Sequence, residues 1–291
     1  MIEIIISSII ILALIIASIT DIRTREVPDW LNFSLVPLGL GIRLIYSLTI
    51  NDYSLIIAGL LGFGVFFILG LIMFYTGQWG GGDSKMLMGL GALIGIPFEP
   101  ISYYKFMNMP LVSFFINTII IGSFYGLGWS FFKIIKNKKK FKKELKKLSK
   151  SIVKLRKFML ILFFVFVILI VVIPDILTKL FLVSLVVIIY SSFYMIIFVK
   201  AVEKACMLKY VKPTEVTEGD WIAKDIVIDG KRISGPKDLG IEKKDLKKLI
   251  NFYKKGKIRK VLIKVGIPFV PSFLVAYILL LYLGNLLMLI V

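Results

Sequence analysis

The chain opens with MIEIIISSIIILALIIASIT, residues 1–20, an apolar run that is followed at once by Asp21-Ile-Arg-Thr-Arg25. A helix needs about 20 mostly apolar residues to cross a bilayer, so this run predicts a transmembrane helix. No basic segment precedes it and no small-residue cleavage site follows, so we expect a retained helix rather than a removed signal peptide. Hydropathy predicts spans near residues 3–20, 33–50, 54–76, 86–103, 109–132, 158–174, 177–199 and 264–290.

The composition places most of the chain in lipid. Of its 291 residues, 58% are hydrophobic, above the roughly 45–50% typical of soluble domains, and the mean hydropathy is +0.90. We therefore predict an all-α polytopic membrane protein of about eight transmembrane helices (six to eight), with a small α+β cytoplasmic insertion. The span at 86–103 is the weakest, because Pro97 and Pro100 favour an early end or a break.

Histidine is absent and cysteine occurs once, which excludes histidine catalysis, thiol–imidazole dyads, cysteine-rich zinc sites and internal disulfides. We expect no metal and no cofactor. The catalytic groups must then be sought among the carboxylates.

Basic residues predict the orientation, because Lys and Arg in short loops mark the cytoplasmic side. Arg23 and Arg25 place the end of the first helix inside, and alternation places the loop with Lys85 there too. The segment 133–157 carries 13 basic residues against Glu144 alone. We interpret this block as a topology anchor beside anionic head groups of the bilayer, not as a nucleic-acid site. The protein is thus expected to be a multi-pass cell-membrane protein.

The charge and hydropathy pattern predicts five parts. In the insertion, Asp225-Ile-Val-Ile-Asp229-Gly230-Lys-Arg-Ile alternates and turns at Asp-Gly, which predicts a β-hairpin, and a helix is expected from Glu242 to Tyr253. A solvated cap and a regulatory or substrate-contacting role both stay open for it. The parts are a membrane catalytic core (1–135), a basic cytoplasmic loop (136–157), two further transmembrane helices (158–199), a small cytoplasmic domain (200–260) and a C-terminal transmembrane helix (261–291).

Asp21 and Asp83 are the predicted catalytic pair. Each lies at the cytoplasmic edge of a predicted span, so the two carboxylates can meet at one depth. Two neighbouring carboxylates cannot both ionise readily, so one holds a proton while the other can activate water. Such a dyad hydrolyses a peptide without metal, histidine or cysteine.

The glycine run Gly80-Gly81-Gly82 precedes Asp83 and is a candidate for shaping the substrate site. Glycine lets backbone approach closely and reach conformations closed to other residues, so a peptide could come near the carboxylate. A phosphate cradle at a helix start and a plain turn between two spans remain alternatives. Lys85 and Arg23 are further site-shaping candidates, and topology would explain both equally well.

Two blocks carry a resemblance to a known family. Asp21-Ile-Arg-Thr-Arg25-Glu26-Val-Pro28-Asp-Trp30-Leu-Asn32 resembles the first block of type IV prepilin peptidases and archaeal preflagellin peptidases, and Gly80-Gly-Gly-Asp83-Ser-Lys85 resembles their GxGD motif. The resemblance implies cleavage of a short basic leader from preflagellins or prepilin-like proteins at the cytoplasmic membrane face, with Asp21 and Asp83 catalytic. The client and the oligomeric state stay open.

Three other classes compete with this interpretation. An ion-coupled transporter also uses paired carboxylates and glycine-broken helices, although near the midplane. An intramembrane protease related to presenilin shares the GxGD signature and cuts within spans. A catalytically inactive homologue would keep the fold alone.

Overall fold

The computed structural model describes residues 2–97 and 106–289, and helices dominate them. Six are long and apolar enough to cross a membrane. They span Ile2–Thr24, Asp29–Ile50, Ser54–Tyr75, Pro110–Lys136, Val153–Val172 and Ile176–Met207, the last of which ends in a short π-helical turn. The prediction of a polytopic all-α membrane protein is confirmed. The helices are α1 (Ile2–Thr24), α2 (Asp29–Ile50), α3 (Ser54–Tyr75), α4 (Gly81–Ile94), α5 (Pro110–Lys136), α6 (Lys138–Ser151), α7 (Val153–Val172), α8 (Ile176–Val202), α9 (Lys243–Lys254) and α10 (Val270–Leu283).

Two of the eight predicted spans are shorter than expected. The helix predicted at 86–103 begins earlier, at Gly81, and ends at Ile94 ahead of Pro97; residues 98–105 lie outside the described part of the chain. The span predicted at 264–290 contains α10, of 14 residues, and a short 3-10 helix at Leu286–Leu289. Gly266 and Pro268 delay the start of α10, and Gly284, with φ 71°, ends it.

The membrane core lies between α1, α2, α3, α4, α5 and α10. Buried residues on α1 recur at helical spacing, as at Ile6, Ile10 and Leu14, so one face of the helix packs inward. Helices α3 and α4 approach closely at two glycines. A Cβ on Gly91 would lie 2.5 Å from the carbonyl oxygen of Gly62, so neither position accepts a side chain without displacing the backbone.

Helices α7 and α8 form a pair that stands largely apart from this core. Only 6% of the apolar window of α7 and 0% of that of α8 is buried. The basic block between the fifth and sixth predicted spans is helical (α6), and its Phe141 ring packs against Phe198 of α8 at 6.0 Å.

A small domain follows α8. Its sheet has the order β1–β5–β2, with strands Leu208–Val211, Val261–Lys264 and Trp221–Ile222, all antiparallel. The predicted hairpin is present as β3 (Ile226–Ile228) and β4 (Lys231–Ser234), and its turn has positive φ at both Asp229 and Gly230. The predicted helix is present as α9, and it packs with the hairpin around Leu249.

Candidate active site

Asp21 lies in the last turns of α1 and is buried, with 5% of its surface exposed. Its Oδ2 accepts a hydrogen bond of 3.0 Å from the backbone N–H of Val270, the first residue of α10. Helix N-termini present unpaired N–H groups and a positive dipole end, which favour a carboxylate. The start of α10 therefore holds this side chain in place from the far end of the sequence.

Asp83 lies in the first turn of α4, ahead of the apolar run and outside the six long helices. Its Oδ2 accepts a hydrogen bond of 3.2 Å from the N–H of Gly80, which fixes the carboxylate over its own helix terminus. Burial, together with the negative charge of Asp21, raises the pKa of Asp83 to about 7. The structure thus brings the two predicted carboxylates within electrostatic reach of each other.

The two sequence blocks that carry the aspartates contact each other directly. Asn32, buried at the start of α2, donates from Nδ2 to the carbonyl oxygen of Gly82 at 3.4 Å. Lys85 Nζ binds Asp29 Oδ1 at 2.6 Å. These contacts join the start of α2 to the first turn of α4. The two sequence blocks, which are about 50 residues apart in the chain, therefore lie side by side in the fold.

An aromatic cluster fixes the start of α10 beside the glycine run. The Trp79 ring packs on Phe269 at 5.4 Å and on Phe273 at 5.3 Å. Gly122 of α5 makes room for this cluster, since a Cβ there would lie 2.7 Å from Cε2 of Phe269. The N–H that binds Asp21 therefore belongs to a tightly packed segment.

Arg25 has an unusual backbone and a buried donor. Its φ is 65°, a region that non-glycine residues avoid, and its N–H bonds the carbonyl oxygen of Asp21 at 3.0 Å. The guanidinium lies 4.8 Å from the ring centroid of Trp129, which stacks on Tyr125. Nη1 of Arg25 is buried and has no hydrogen-bond partner within residues 2–97 and 106–289.

The other predicted site residues have different surroundings. The side chain of Arg23 is exposed and forms no hydrogen bond or ion pair with any described residue. Lys85 points to Asp29, and their exposed pair contributes little to stability. The glycines at 80–82 do not have positive φ. The expectation that they adopt a backbone conformation closed to other residues is therefore wrong.

The space around two of these glycines would accept a small side chain. A Cβ on Gly81 would meet Phe74 at 3.7 Å, and one on Gly82 would meet Val27 at 3.4 Å, both close to ordinary contact. Glycine in a helical turn costs about 1 kcal/mol relative to alanine. A Cβ would fit at both Gly81 and Gly82, and packing within the described residues does not require glycine at either position.

Arg43 is a residue that sequence reasoning missed. It is 3% exposed, within α2, and donates to the carbonyl oxygens of Ala92 (3.2 Å), Leu93 (2.6 Å) and Ile94 (2.8 Å). It thereby binds the C-terminal end of the helix whose first turn carries Asp83. A lone arginine inside an apolar span was the available signal.

Sequence reasoning also missed Val270, Trp79 and Trp129. Val270 offers only its backbone N–H, so its residue type gives no signal. The two tryptophans act through ring contacts that depend on the fold. In the described part of the chain, no cluster of three or more acidic or cysteine side chains is placed to hold a metal ion. The site offers two interacting carboxylates, a guanidinium Nη1 with no hydrogen-bond partner in the described part of the chain, and a run of three glycines.

Comparison with known proteins finds relatives of the part of the chain that carries both aspartates. Residues 8–127 match the type IV leader peptidase family. A preflagellin peptidase of Methanococcus maripaludis is 48% identical over 83 residues, which are 28% of this chain and 36% of that protein. Another, from Methanocaldococcus jannaschii, is 35% identical over 144 residues, 46% of this chain and 60% of the relative.

A preflagellin peptidase of Methanococcus voltae is 36% identical over 140 residues, 45% of this chain and 59% of that protein. The chain thus spans from 36% to 60% of the length of these curated relatives. Both aspartate blocks lie inside the matched region, and the predicted resemblance is confirmed. Through residues 8–127, this chain is similar to the type IV leader peptidase family.

Proposed function

We propose that this protein is a membrane aspartyl endopeptidase that removes the short basic leader of preflagellins or related prepilin-like proteins. The observation that carries the proposal is the pairing of Asp21 with Asp83, each fixed by a backbone N–H of a helix start. The names of the relatives favour a preflagellin as the client. The basic loops favour the cytoplasmic face of the membrane as the place of cleavage.

In the proposed mechanism, the dyad holds one proton. The ionised carboxylate takes a proton from water as the water oxygen attacks the scissile carbonyl, and the protonated carboxyl donates to the carbonyl oxygen. The tetrahedral intermediate then collapses, the C–N bond breaks, and the leaving amine receives a proton from the dyad. Because the pair titrates together, neither proton is assigned to one residue.

The surroundings suit an extended peptide. The glycine run presents no side chain, so substrate backbone can come closer to Asp83 over Gly81 and Gly82 than it could over larger residues. The free Nη1 of Arg25 offers a donor for a substrate carbonyl oxygen. Trp129 holds the guanidinium in place through its ring face.

A transporter is the second candidate, because it too would use paired carboxylates. Its charged groups are expected near the midplane of the membrane. Asp21 instead lies in the last turns of a long span and Asp83 in the first turn of α4. This placement at helix ends favours the peptidase.

The test is cleavage by detergent-solubilised protein of separate preflagellin and prepilin substrates, scored by product mass. Wild type should remove the leader, and Asp21→Asn and Asp83→Asn should each lose cleavage while staying folded, with a melting temperature no lower than that of wild type. Asp52→Asn is the matched control, because Asp52 is an exposed carboxylate at the α2–α3 turn. Its Oδ1 accepts a hydrogen bond from the N–H of Ser54, which an asparagine side-chain oxygen can accept as well.

Undiminished turnover by either aspartate variant would remove that carboxylate from the mechanism. If folded wild type cleaved neither substrate, the transporter and the inactive homologue would become the leading interpretations.

A further inference from the structure

A cavity of about 730 Å³ lies where α6, α7 and α8 meet the small domain. Along α8 its lining changes from apolar, at Phe193 and Ile196, to basic, at Lys200 and Lys204. A helix rises 1.5 Å per residue, so roughly 10 Å separates Phe193 from Lys200. The cavity therefore has an apolar part along the membrane helices and a cationic part toward the small domain.

Lys200 and Lys204 are available to bind an anion. Both carboxylates that line the cavity have other partners: Glu203 binds Lys264 at 3.2 Å, and Asp238 binds Arg232 at 3.1 Å. Lys200 and Lys204 form no ion pair with any residue that the structure describes. They lie four residues apart and so share one helix face, where a single anion can contact both ammonium groups.

We propose that this cavity binds an anionic phospholipid. The phosphate lies between Lys200 and Lys204, and an acyl chain lies along Leu155 of α7 and the apolar residues of α8. A free phosphate would leave the apolar walls uncovered. A phospholipid places its phosphate in the cationic part of the cavity and an acyl chain against the apolar part. Lipid has access to it, because α7 and α8 bury almost none of their apolar surface within the protein.

The proposal does not depend on the peptidase activity, so its test is a binding experiment on the full chain in phosphatidylcholine vesicles. Trp221 lines the cavity and serves as the reporter. Phosphatidylglycerol with brominated acyl chains should quench the tryptophan emission at lower mole fraction than brominated phosphatidylcholine does. Trp221→Phe should remove that lipid-selective part of the quenching.

Charge variants separate a site from general attraction to the surface. A lysine near an anionic surface changes lipid affinity about fivefold. Lys200→Gln/Lys204→Gln should therefore reduce the preference for phosphatidylglycerol by roughly 30-fold. Lys142→Gln/Lys143→Gln, on the exposed basic surface of α6, should reduce it far less. Ala223→Leu, which fills the cavity without changing charge, should also weaken the quenching.

Three results would overturn the proposal: equal quenching by both lipids, equal loss in the two lysine double variants, or competition by free glycerol phosphate as effective as that by the lipid. If the double variant did not fold, Ala223→Leu and Trp221→Phe would decide the question alone.

Discussion

Nη2 of Arg43 lies 2.6 Å from the carbonyl oxygen of Leu93, so a buried cation in α2 binds the C-terminal end of α4. The negative end of a helix dipole favours a cation, and the unpaired carbonyls of the last turn need donors. The same short helix carries Asp83 in its first turn. One end of α4 is thus fixed by Arg43 while the other end presents the carboxylate.

Replacing Arg43 should destabilise the protein. We expect Arg43→Met to lower the free energy of unfolding by about 3 kcal/mol, because several buried carbonyls lose their donor. Thermal melting in detergent measures this. Arg23→Met is the matched control, since Arg23 is exposed and should show no change. Equal melting temperatures for the two variants would contradict the role assigned to Arg43.

Arg25→Gly separates the backbone of this residue from its side chain. Glycine adopts φ 65° without strain, so the melting temperature should stay near that of wild type despite the lost contact with Trp129. The specificity constant kcat/KM should fall by about tenfold or more, because a charged donor to the substrate is lost. Arg23→Gly should leave it unchanged. A fully active Arg25→Gly would show that the guanidinium is not used.

Adding a methyl group at the glycine run should affect substrate and fold in opposite ways. Gly81→Ala should stabilise α4 by about 1 kcal/mol while lowering kcat/KM, since the methyl group occupies the space proposed for the peptide. Gly91→Ala should instead destabilise the protein by about 1–3 kcal/mol, because its Cβ meets the backbone of Gly62. Melting curves and kinetics on both variants test this. Undiminished cleavage by Gly81→Ala would contradict the proposed approach.

The pH dependence of cleavage follows from the raised pKa of Asp83. Below about pH 7 the dyad keeps the proton that the reaction needs, and above it that proton is lost. We therefore expect kcat to fall as the pH rises through about 7. Rates measured between about pH 5 and about pH 9, on protein that stays folded at every pH, test this. A rate that kept rising above pH 8 would contradict it.

Asp83 should also make the fold sensitive to pH. Its folded pKa of about 7 lies above the ordinary value of 3.8, so the folded state holds this proton more tightly than the unfolded state. The proton therefore stabilises the fold at low pH, and that stabilisation is lost as the pH rises toward 7. Asp83→Asn cannot ionise, so it should melt above wild type at pH 8 and close to wild type at low pH. Parallel melting curves at every pH would rule out this linkage.

Hydropathy predicted the helical class and six spans well, because long apolar runs act independently of tertiary contacts. It failed at α4 and α10, where proline and glycine shorten helices that are buried by their neighbours rather than by length. The hairpin turn at Asp229-Gly230 was predictable because both residues tolerate positive φ. In each case the local chemistry of a few residues decided the outcome.

The site was only partly visible in the sequence. Asp21 and Asp83 stood out because carboxylates are rare at span edges, whereas Arg23 and Arg25 looked alike. Only the fold distinguishes them, since Arg25 turns back in a left-handed conformation onto Trp129 while Arg23 faces outward. Val270 acts through a backbone N–H, which every residue except proline possesses, so no residue type could have indicated it.

The hydrogen bond between Asp21 and Val270 joins residues that are 249 positions apart. During synthesis, Asp21 and Asp83 are both made before the first third of the chain is complete, yet the donor that holds Asp21 appears only once residue 270 has left the ribosome. The carboxylate of Asp21 therefore lacks this hydrogen bond during most of translation. The link between α1 and α10 can therefore form only after all the membrane helices between them have been made.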